Sequence, residues 1–111
     1  MNFINIPFTV FDLETTGLSP NRGDRIVEIA GIRIENGEII KEKTFDSMVD
    51  PGVAISAEAS RVNGIKQEDL IGAPPIEDVL PSFLEFAAGT ILIAHNAGFD
   101  MSFLEAEKEM C

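Results

Sequence analysis

The sequence contains little of what several classes of protein depend on. Its only cysteine, Cys111, is the last residue, which excludes an internal disulfide and a cysteine-based metal site. No apolar run approaches the roughly 20 residues of a membrane span, and residues 1–8 lack the basic and then apolar pattern of a signal peptide. We therefore expect a soluble, cytoplasmic protein that does not contact a membrane.

Positive charge is also scarce. The 8 Lys and Arg residues are outnumbered by 19 Asp and Glu residues, and the net charge of −11 argues against broad electrostatic binding of nucleic acid. An enzyme that meets phosphates through metal ions and backbone N–H groups is still compatible with this balance. The charge therefore weakens the case for a nucleic-acid binding module more than the case for a catalyst.

The patterns that are present predict one α/β domain. The 111 residues are 45% hydrophobic, which is ordinary for a globular protein with one modest core. Apolar and β-branched runs predict four strands, at 8–13, 26–35, 38–49 and 90–94. Helical spacing predicts helices at 56–64, at 76–87 and from about residue 100 onwards. This order indicates a mixed sheet that begins as an antiparallel three-strand meander, gains a further strand and is flanked by helices.

Turn residues add detail to this prediction. Asn36-Gly37 is a strong signal for a tight hairpin, and the mixed composition of the strand that follows it predicts an edge strand. The apolar run at 90–94 predicts a buried strand with an exit loop at 95–98. Pro81 lies within a helical pattern, so either Asp78 is the N-cap and Pro81 falls in the first turn, or the helix kinks.

Two acids end the first predicted strand. Because side chains alternate along a strand, Asp12 and Glu14 point to the same face, with Cα atoms roughly 6.6–7 Å apart. Burying such a pair is costly unless a cation joins it, and carboxylates are ligands that Mg²⁺ accepts. Carboxylates at a strand end also commonly meet solvent or cap the next turn. The pair alone therefore leaves both interpretations open.

A third acid follows the fourth predicted strand. Asp100 comes directly after a strand-to-helix loop, where open α/β sheets collect their ligands. Taken alone, Asp100 could be a first-turn acid favoured by the helix dipole, His95 a loop histidine bonded to the backbone, and Phe99 a core residue. Asp-x-Glu-Thr-Thr-Gly at 12–17 and His-Asn-Ala-x-Phe-Asp at 95–100, each at the end of a predicted strand, together favour one shared site.

These two stretches resemble the first and second exonuclease motifs of the DEDD 3′–5′ exonucleases, of the type of the proofreading epsilon subunit of bacterial DNA polymerase III. The runs at 25–30 and 62–65, and Phe103-Leu104 with Glu107, are similar to the same family. The resemblance implies an RNase H-like fold and metal-dependent removal of 3′-terminal nucleotides as 5′-monophosphates, in proofreading or repair. It implies a single-stranded or frayed 3′ end of DNA as substrate, with RNA possible, and a DNA polymerase subunit as partner.

The resemblance also implies a metal-binding role for three residues. Asp12 would bridge two divalent metal ions, Mg²⁺ or Mn²⁺. Glu14 would bind the ion that activates water, and Asp100 would act near the second ion.

The substrate-binding residues that the resemblance implies come from both motifs. The first motif would place the terminal nucleotide against Thr15, Thr16, Gly17 and Leu18. Backbone N–H groups of that segment would meet the 3′-hydroxyl, which distinguishes a chain end from an interior position. In the second motif Phe99 would pack on the sugar or base, while His95 and Asn96 would order the loop.

The chain departs from the family pattern at several positions. Gly98 stands where the family usually has Pro, and Asn63 stands where many members have His, so no substrate contact is assigned to Asn63. The third motif of the family, a His followed five positions later by an Asp, supplies a general base and the last metal ligand. It is absent here, because the only histidine, His95, belongs to the second motif.

We therefore expect residues 1–111 to be the N-terminal two-thirds of a single exonuclease domain that lacks its final strand and helix. Such a chain would be weakly active or inactive by itself, because general base catalysis typically contributes about 10²–10⁴-fold. Its open sheet edge would favour pairing with a second copy.

Two other functions are alternatives to this one. The chain could be a non-catalytic interaction module of a polymerase or repair complex that retains an incomplete exonuclease site. A magnesium-dependent phosphohydrolase of another fold would need an Asp two residues after its Asp nucleophile. Glu14 at that position, and the Asn36-Gly37 hairpin, count against it.

Overall fold

The computed structural model describes residues 6–17, 19–94 and 97–110, and in the last range it describes side chains from residue 100 to 108. A mixed four-stranded sheet forms the centre, in the order β3-β2-β1-β4. The strands are β1 (Phe8–Thr15), β2 (Ile26–Glu35), β3 (Glu38–Met48) and β4 (Ile91–Ala94). The helices are α1 (Ala57–Asn63), α2 (Ile76–Ala87) and α3 (Ala97–Met110), with 3₁₀ turns at Pro20–Arg22 and Gln67–Leu70. The predicted meander followed by a further strand is confirmed.

The hairpin between β2 and β3 forms where the turn residues predict it. Asn36 has φ of 54° and Gly37 has φ of 79°, as a two-residue turn with both central residues at positive φ requires. The two strands pair antiparallel, and β3 lies at the edge of the sheet as predicted.

The pairing of β1 with β4 brings the two sequence motifs to the same edge of the sheet. These strands are parallel, with Phe8 opposite Ile91 and Phe11 opposite Ala94. Strands β1 and β4 therefore end at the same edge of the sheet, β1 just after Glu14 and β4 just before α3. This parallel pairing, which spans more than 80 residues of sequence, places the start of α3 beside the end of β1.

The core lies between one face of the sheet and α2. Phe83 of α2 is fully buried, and its ring centroid lies 5.6 Å from that of Phe11 on β1 and 5.6 Å from that of Phe45 on β3. Phe103 and Leu104 add the buried face of α3 to the same core. Among the described residues, no helix is long and apolar enough to cross a bilayer.

Helix α2 spans the predicted residues 76–87, whereas α3 begins before its predicted start near Asp100. The N-cap of α2 is Pro75 rather than Asp78, because Ile76 is buried in the core and extends the packed face by a turn. Pro81 consequently lies inside α2 and not in its first turn. Helix α3 begins at Ala97, so that part of the predicted exit loop is helical.

The prediction that 90–94 is a buried strand is also wrong for one of its faces. Ile91 and Ile93 are 49% and 41% exposed, whereas Leu92 and Ala94 pack against the core. The reason is position, because β4 is an edge strand and α2 covers only the opposite face. A short apolar run cannot by itself indicate how many of its faces will be covered.

Candidate active site

Asp12 and Glu14 lie on the face of β1 that points away from α2. Leu13 between them is buried in the core, whereas Asp12 is exposed and Glu14 is partly buried. Asp12 pairs with Ala30 of β2 and Glu14 pairs with Glu28, and the register shifts directly after Glu14. The strand therefore presents both carboxylates on one face immediately before its pairing becomes irregular.

Asp100 joins these two acids from α3. It lies in the first turn of the helix, where the dipole favours negative charge, and it is only 1% exposed. The pKa of Glu14 is raised, first by burial and then by the charges of Asp12 and Asp100. Asp12 and Asp100 therefore both lie within electrostatic range of Glu14, although Asp100 is distant from it in sequence.

The three carboxylates are of a type that binds divalent cations, but their positions do not form a metal site. Within the described ranges, no three Asp, Glu, His or Cys side chains are arranged to hold a metal ion. All three groups offer oxygen ligands, which Mg²⁺ and Mn²⁺ prefer. Their mutual repulsion at Glu14 is the electrostatic condition that a bound cation would relieve. The residues therefore fit a hard divalent ion that would draw the carboxylates together.

A fourth acid, Glu28, extends the site across the sheet and was not identified from the sequence. It faces Glu14 across β1 and β2, and burial together with its hydrogen bond to Asp46 raises its pKa to about 7. The charges of Asp46, Glu14 and Asp12 contribute to the same shift. Only the register of β1 on β2 could have revealed this neighbour, and the long loop between the two strands does not specify that register.

The Thr-Thr-Gly segment after Glu14 is held by hydrogen bonds within the protein. The Thr15 hydroxyl donates to the Gly17 carbonyl at 2.6 Å, and the Thr16 hydroxyl donates to Asp24 Oδ1 at 3.1 Å. The Thr16 N–H donates to the Arg25 carbonyl at 2.8 Å. Both threonine side chains are buried. These groups therefore shape the segment, and of its backbone N–H groups that of Thr16 already has a partner within the protein.

Gly17 is required by a close approach. A Cβ at this position would lie 2.5 Å from the carboxylate oxygens of Asp24. That carboxylate also accepts the Ser19 N–H at 3.1 Å, so it cannot easily move away. Asp24 therefore organises the loop that follows the first motif.

Both ends of helix α1 form hydrogen bonds with the same Thr-Thr-Gly segment. Ser56 caps the helix by accepting the Ala59 N–H at 3.0 Å, and its hydroxyl donates to the Thr16 carbonyl at 3.2 Å. At the other end the Asn63 amide donates to the Thr15 carbonyl at 3.2 Å. The Asn63 side chain therefore links the end of α1 to the first motif.

An open groove of about 710 Å³ lies between α1 and the Thr-Thr-Gly segment. Its lining includes Glu14 and Gly17 on one side, and Ala59 and Val62 on the other. Val62 is 84% exposed. The groove therefore has a mixed lining, in which apolar side chains of α1 and polar ones such as Glu58 share a cavity with Glu14.

Four of the predicted substrate-binding residues cannot be placed. Leu18, His95 and Asn96 lie outside the described residues, as does the side chain of Phe99.

The sequence is similar to known proteins over most of its length. The family described as "Exonuclease" matches residues 9–111. A DNA polymerase III PolC-type protein of Caldanaerobacter subterraneus is 48% identical over 100 residues, which cover 90% of this chain and 7% of that protein. A DNA polymerase III subunit epsilon-like protein of Rhodobacter capsulatus is 46% identical over 103 residues, which cover 93% of this chain and 15% of that protein.

Solved structures extend the comparison to the fold. Exonuclease X in complex with 5′ overhanging duplex DNA superposes with a TM-score of 0.73 at 32% identity, over 87% of this chain and 53% of that chain. The nuclease domain of 3′hExo, a DEDDh family member bound to rAMP, superposes with a TM-score of 0.75 at 18% identity, over 94% of this chain and 58% of that chain. The predicted RNase H-like fold and the resemblance to the DEDD exonucleases are confirmed.

Proposed function

The chain belongs to the exonuclease family, and from this premise we propose that it is a metal-dependent 3′–5′ exonuclease that releases nucleoside 5′-monophosphates from DNA ends. The observation that carries the proposal is the convergence of Asp12 and Asp100 on Glu14, where burial first and then the two neighbouring charges raise the pKa of the Glu14 carboxyl.

In this proposal the three carboxylates would hold divalent cations, Mg²⁺ or Mn²⁺. A divalent cation so bound lowers the pKa of water and stabilises negative charge on the phosphate oxygens in an in-line displacement. The rigid strand positions Asp12 and Glu14, and the first turn of α3 positions Asp100. Because the backbones of all three residues lie in regular secondary structure, only their side chains would need to move toward a bound cation.

The groove beside Glu14 is where the terminal nucleotide would lie. Gly17 brings backbone close to that position, and Val62 offers an apolar surface to a base. DNA is the proposed substrate because exonuclease X, at 32% identity, is described with 5′ overhanging duplex DNA. The polymerase III relatives suggest a role in proofreading beside a polymerase subunit in the cytoplasm, in which the partner would supply the affinity that a net charge of −11 does not.

The experiment is a Mn²⁺-dependent digestion of a single-stranded oligonucleotide labelled at its 5′ end. We expect Mn²⁺-dependent shortening from the 3′ end. Asp12→Asn should abolish the shortening. Glu105→Gln, which removes an exposed acid from α3, is the matched control and should leave the rate unchanged.

Binding of Mn²⁺ gives a second measurement that does not depend on turnover. A tight site that Asp12→Asn removes would support the proposal even at a low rate. If neither metal-dependent release nor such a site is found, the proposal is wrong for this chain, and the non-catalytic interaction module becomes the better interpretation.

A further inference from the structure

A buried ion pair links the start of β2 to the far end of α3. The Arg25 Nε donates to both carboxylate oxygens of Glu107 at 2.9 Å, and Nη2 donates to Oε1 at 2.6 Å. The Ile26 N–H lies 3.4 Å from Oε2 of the same carboxylate. The side chain of Glu107 is only 2% exposed and that of Arg25 is 20% exposed. Such a two-pronged pair fixes direction as well as distance, because the guanidinium and the carboxylate are both planar.

The main chain of Arg25 is bound to the first motif. The Thr16 N–H donates to the Arg25 carbonyl at 2.8 Å, and the Arg25 N–H donates to the Thr16 hydroxyl at 3.0 Å. Thr16 lies two residues after Glu14. One residue therefore contacts both units of the candidate site, the first motif through its backbone and α3 through its side chain.

Glu107 lies on the same face of α3 as Asp100. Asp100, Phe103, Leu104 and Glu107 follow the spacing of a single helix face, and each is at most 2% exposed. Seven residues of helix separate the two acids by about 10.5 Å. Phe103 and Leu104 pack against the core between them, but apolar packing is not directional.

A small rotation of α3 about its axis moves the Asp100 carboxylate by about the length of a metal–oxygen bond. The ends of side chains lie about 5–6 Å from the helix axis, so a rotation of about 20° moves a carboxylate by about 2 Å. A Mg²⁺–oxygen bond is itself about 2.0–2.1 Å long. A small rotation of α3 would therefore be enough to remove Asp100 from a shared cation.

We propose that Arg25 and Glu107 are positioning residues, and that their ion pair sets the rotation of α3 so that Asp100 meets the cation held by Asp12 and Glu14. This inference rests on the proposed function, because it assumes that the three carboxylates share a divalent ion. It assigns to Glu107 a role that does not require contact with substrate, since Glu107 is buried two helical turns from Asp100.

The test is a Mn²⁺ titration of the full chain followed by electron paramagnetic resonance, which measures free Mn²⁺ and requires no activity. Arg25→Lys keeps the positive charge beside the buried carboxylate but loses the two-pronged geometry. Glu107→Gln keeps the shape of the side chain and removes its charge. We expect each variant to retain the circular dichroism spectrum of the wild type and to bind Mn²⁺ about 10–100-fold more weakly, as is typical when a residue that orients a ligand is changed.

A matched control breaks an ion pair that lies elsewhere on the sheet. Lys43 Nζ lies 2.9 Å from Glu35 Oε2 in an exposed pair near the hairpin, so Lys43→Gln should leave Mn²⁺ affinity unchanged. Asp12→Asn identifies which Mn²⁺ site is being measured.

The outcomes separate the two proposals. If the wild type has no Mn²⁺ site that Asp12→Asn removes, the proposed function fails. If that site exists and both pair variants bind Mn²⁺ as tightly as the wild type, the positioning role is overturned. Loss of the fold in both variants also overturns it, because the pair would then serve stability as a whole. Weaker binding by either folded variant supports the proposal.

Discussion

Glu28 provides a prediction about stability that follows directly from the crowding of carboxylates on one face of the sheet. Its pKa is raised to about 7 by burial, by the hydrogen bond with Asp46 and by neighbouring negative charges. A raised pKa means that the folded protein holds this proton more tightly than the unfolded chain does. The resulting stabilisation is present below about pH 4.5 and is lost as the pH rises through about 7.

The magnitude can be bounded from the same shift. A change in pKa from 4.5 to about 7 corresponds to at most about 3.5 kcal/mol of unfolding free energy, at about 1.4 kcal/mol for each tenfold change in proton affinity. Glu28 is only partly buried, and solvent screening reduces interactions of exposed charges. We therefore expect a loss of about 1–1.5 kcal/mol between pH 5 and pH 8 from this residue.

The perturbation is Glu28→Gln, which removes the titrating group and can still donate a hydrogen bond to Asp46. Urea unfolding in the presence of a chelator, at pH 5 and at pH 8, measures the difference without bound metal. The variant should be about 1–1.5 kcal/mol more stable than the wild type at pH 8 and nearly equal to it at pH 5. Glu38→Gln, at an exposed position on β3, is the control and should not change the pH dependence. An equal loss of stability with rising pH in the wild type and in Glu28→Gln would refute the reasoning.

Three further predictions concern the core, the loop and the helix that surround the candidate site. Phe83→Ala removes a fully buried ring from between two others and should lower the free energy of unfolding by about 3–5 kcal/mol in urea, and a loss below about 1 kcal/mol would contradict the described core. Gly17→Ala should displace the Asp24 carboxylate and weaken Mn²⁺-dependent nucleotide release, whereas Gly31→Ala, whose added Cβ meets only atoms at 3.4 Å or more, should retain most of that activity. Ser56→Ala removes the N-cap of α1 and should cost about 0.5–2 kcal/mol by the same urea assay, and unchanged stability would argue against the cap.

The local elements of this protein could be predicted because neighbouring residues determine them. Asn36-Gly37 fixes the hairpin through its positive φ angles, and Gly64 ends α1 through the same property. The alternation of side chains along β1 is enough to predict that Asp12 and Glu14 share one face. The errors occurred where burial decides the outcome. The face of β4 that carries Ile93 is left uncovered by α2, and the burial of Ile76 settles which of the two alternatives for Pro81 applies.

The sequence by itself therefore determined the order of strands and helices, the two motifs and the acids within each of them, because these depend on interactions over a few residues. Only the tertiary structure decided that the charge of Asp100 contributes to the raised pKa of Glu14. It also decided that Glu28 faces Glu14 and that Arg25 binds Glu107. These contacts depend on the parallel pairing of β1 with β4 and on the register of β1 on β2. No local pattern encodes either one, since each is selected by the packing of the whole core.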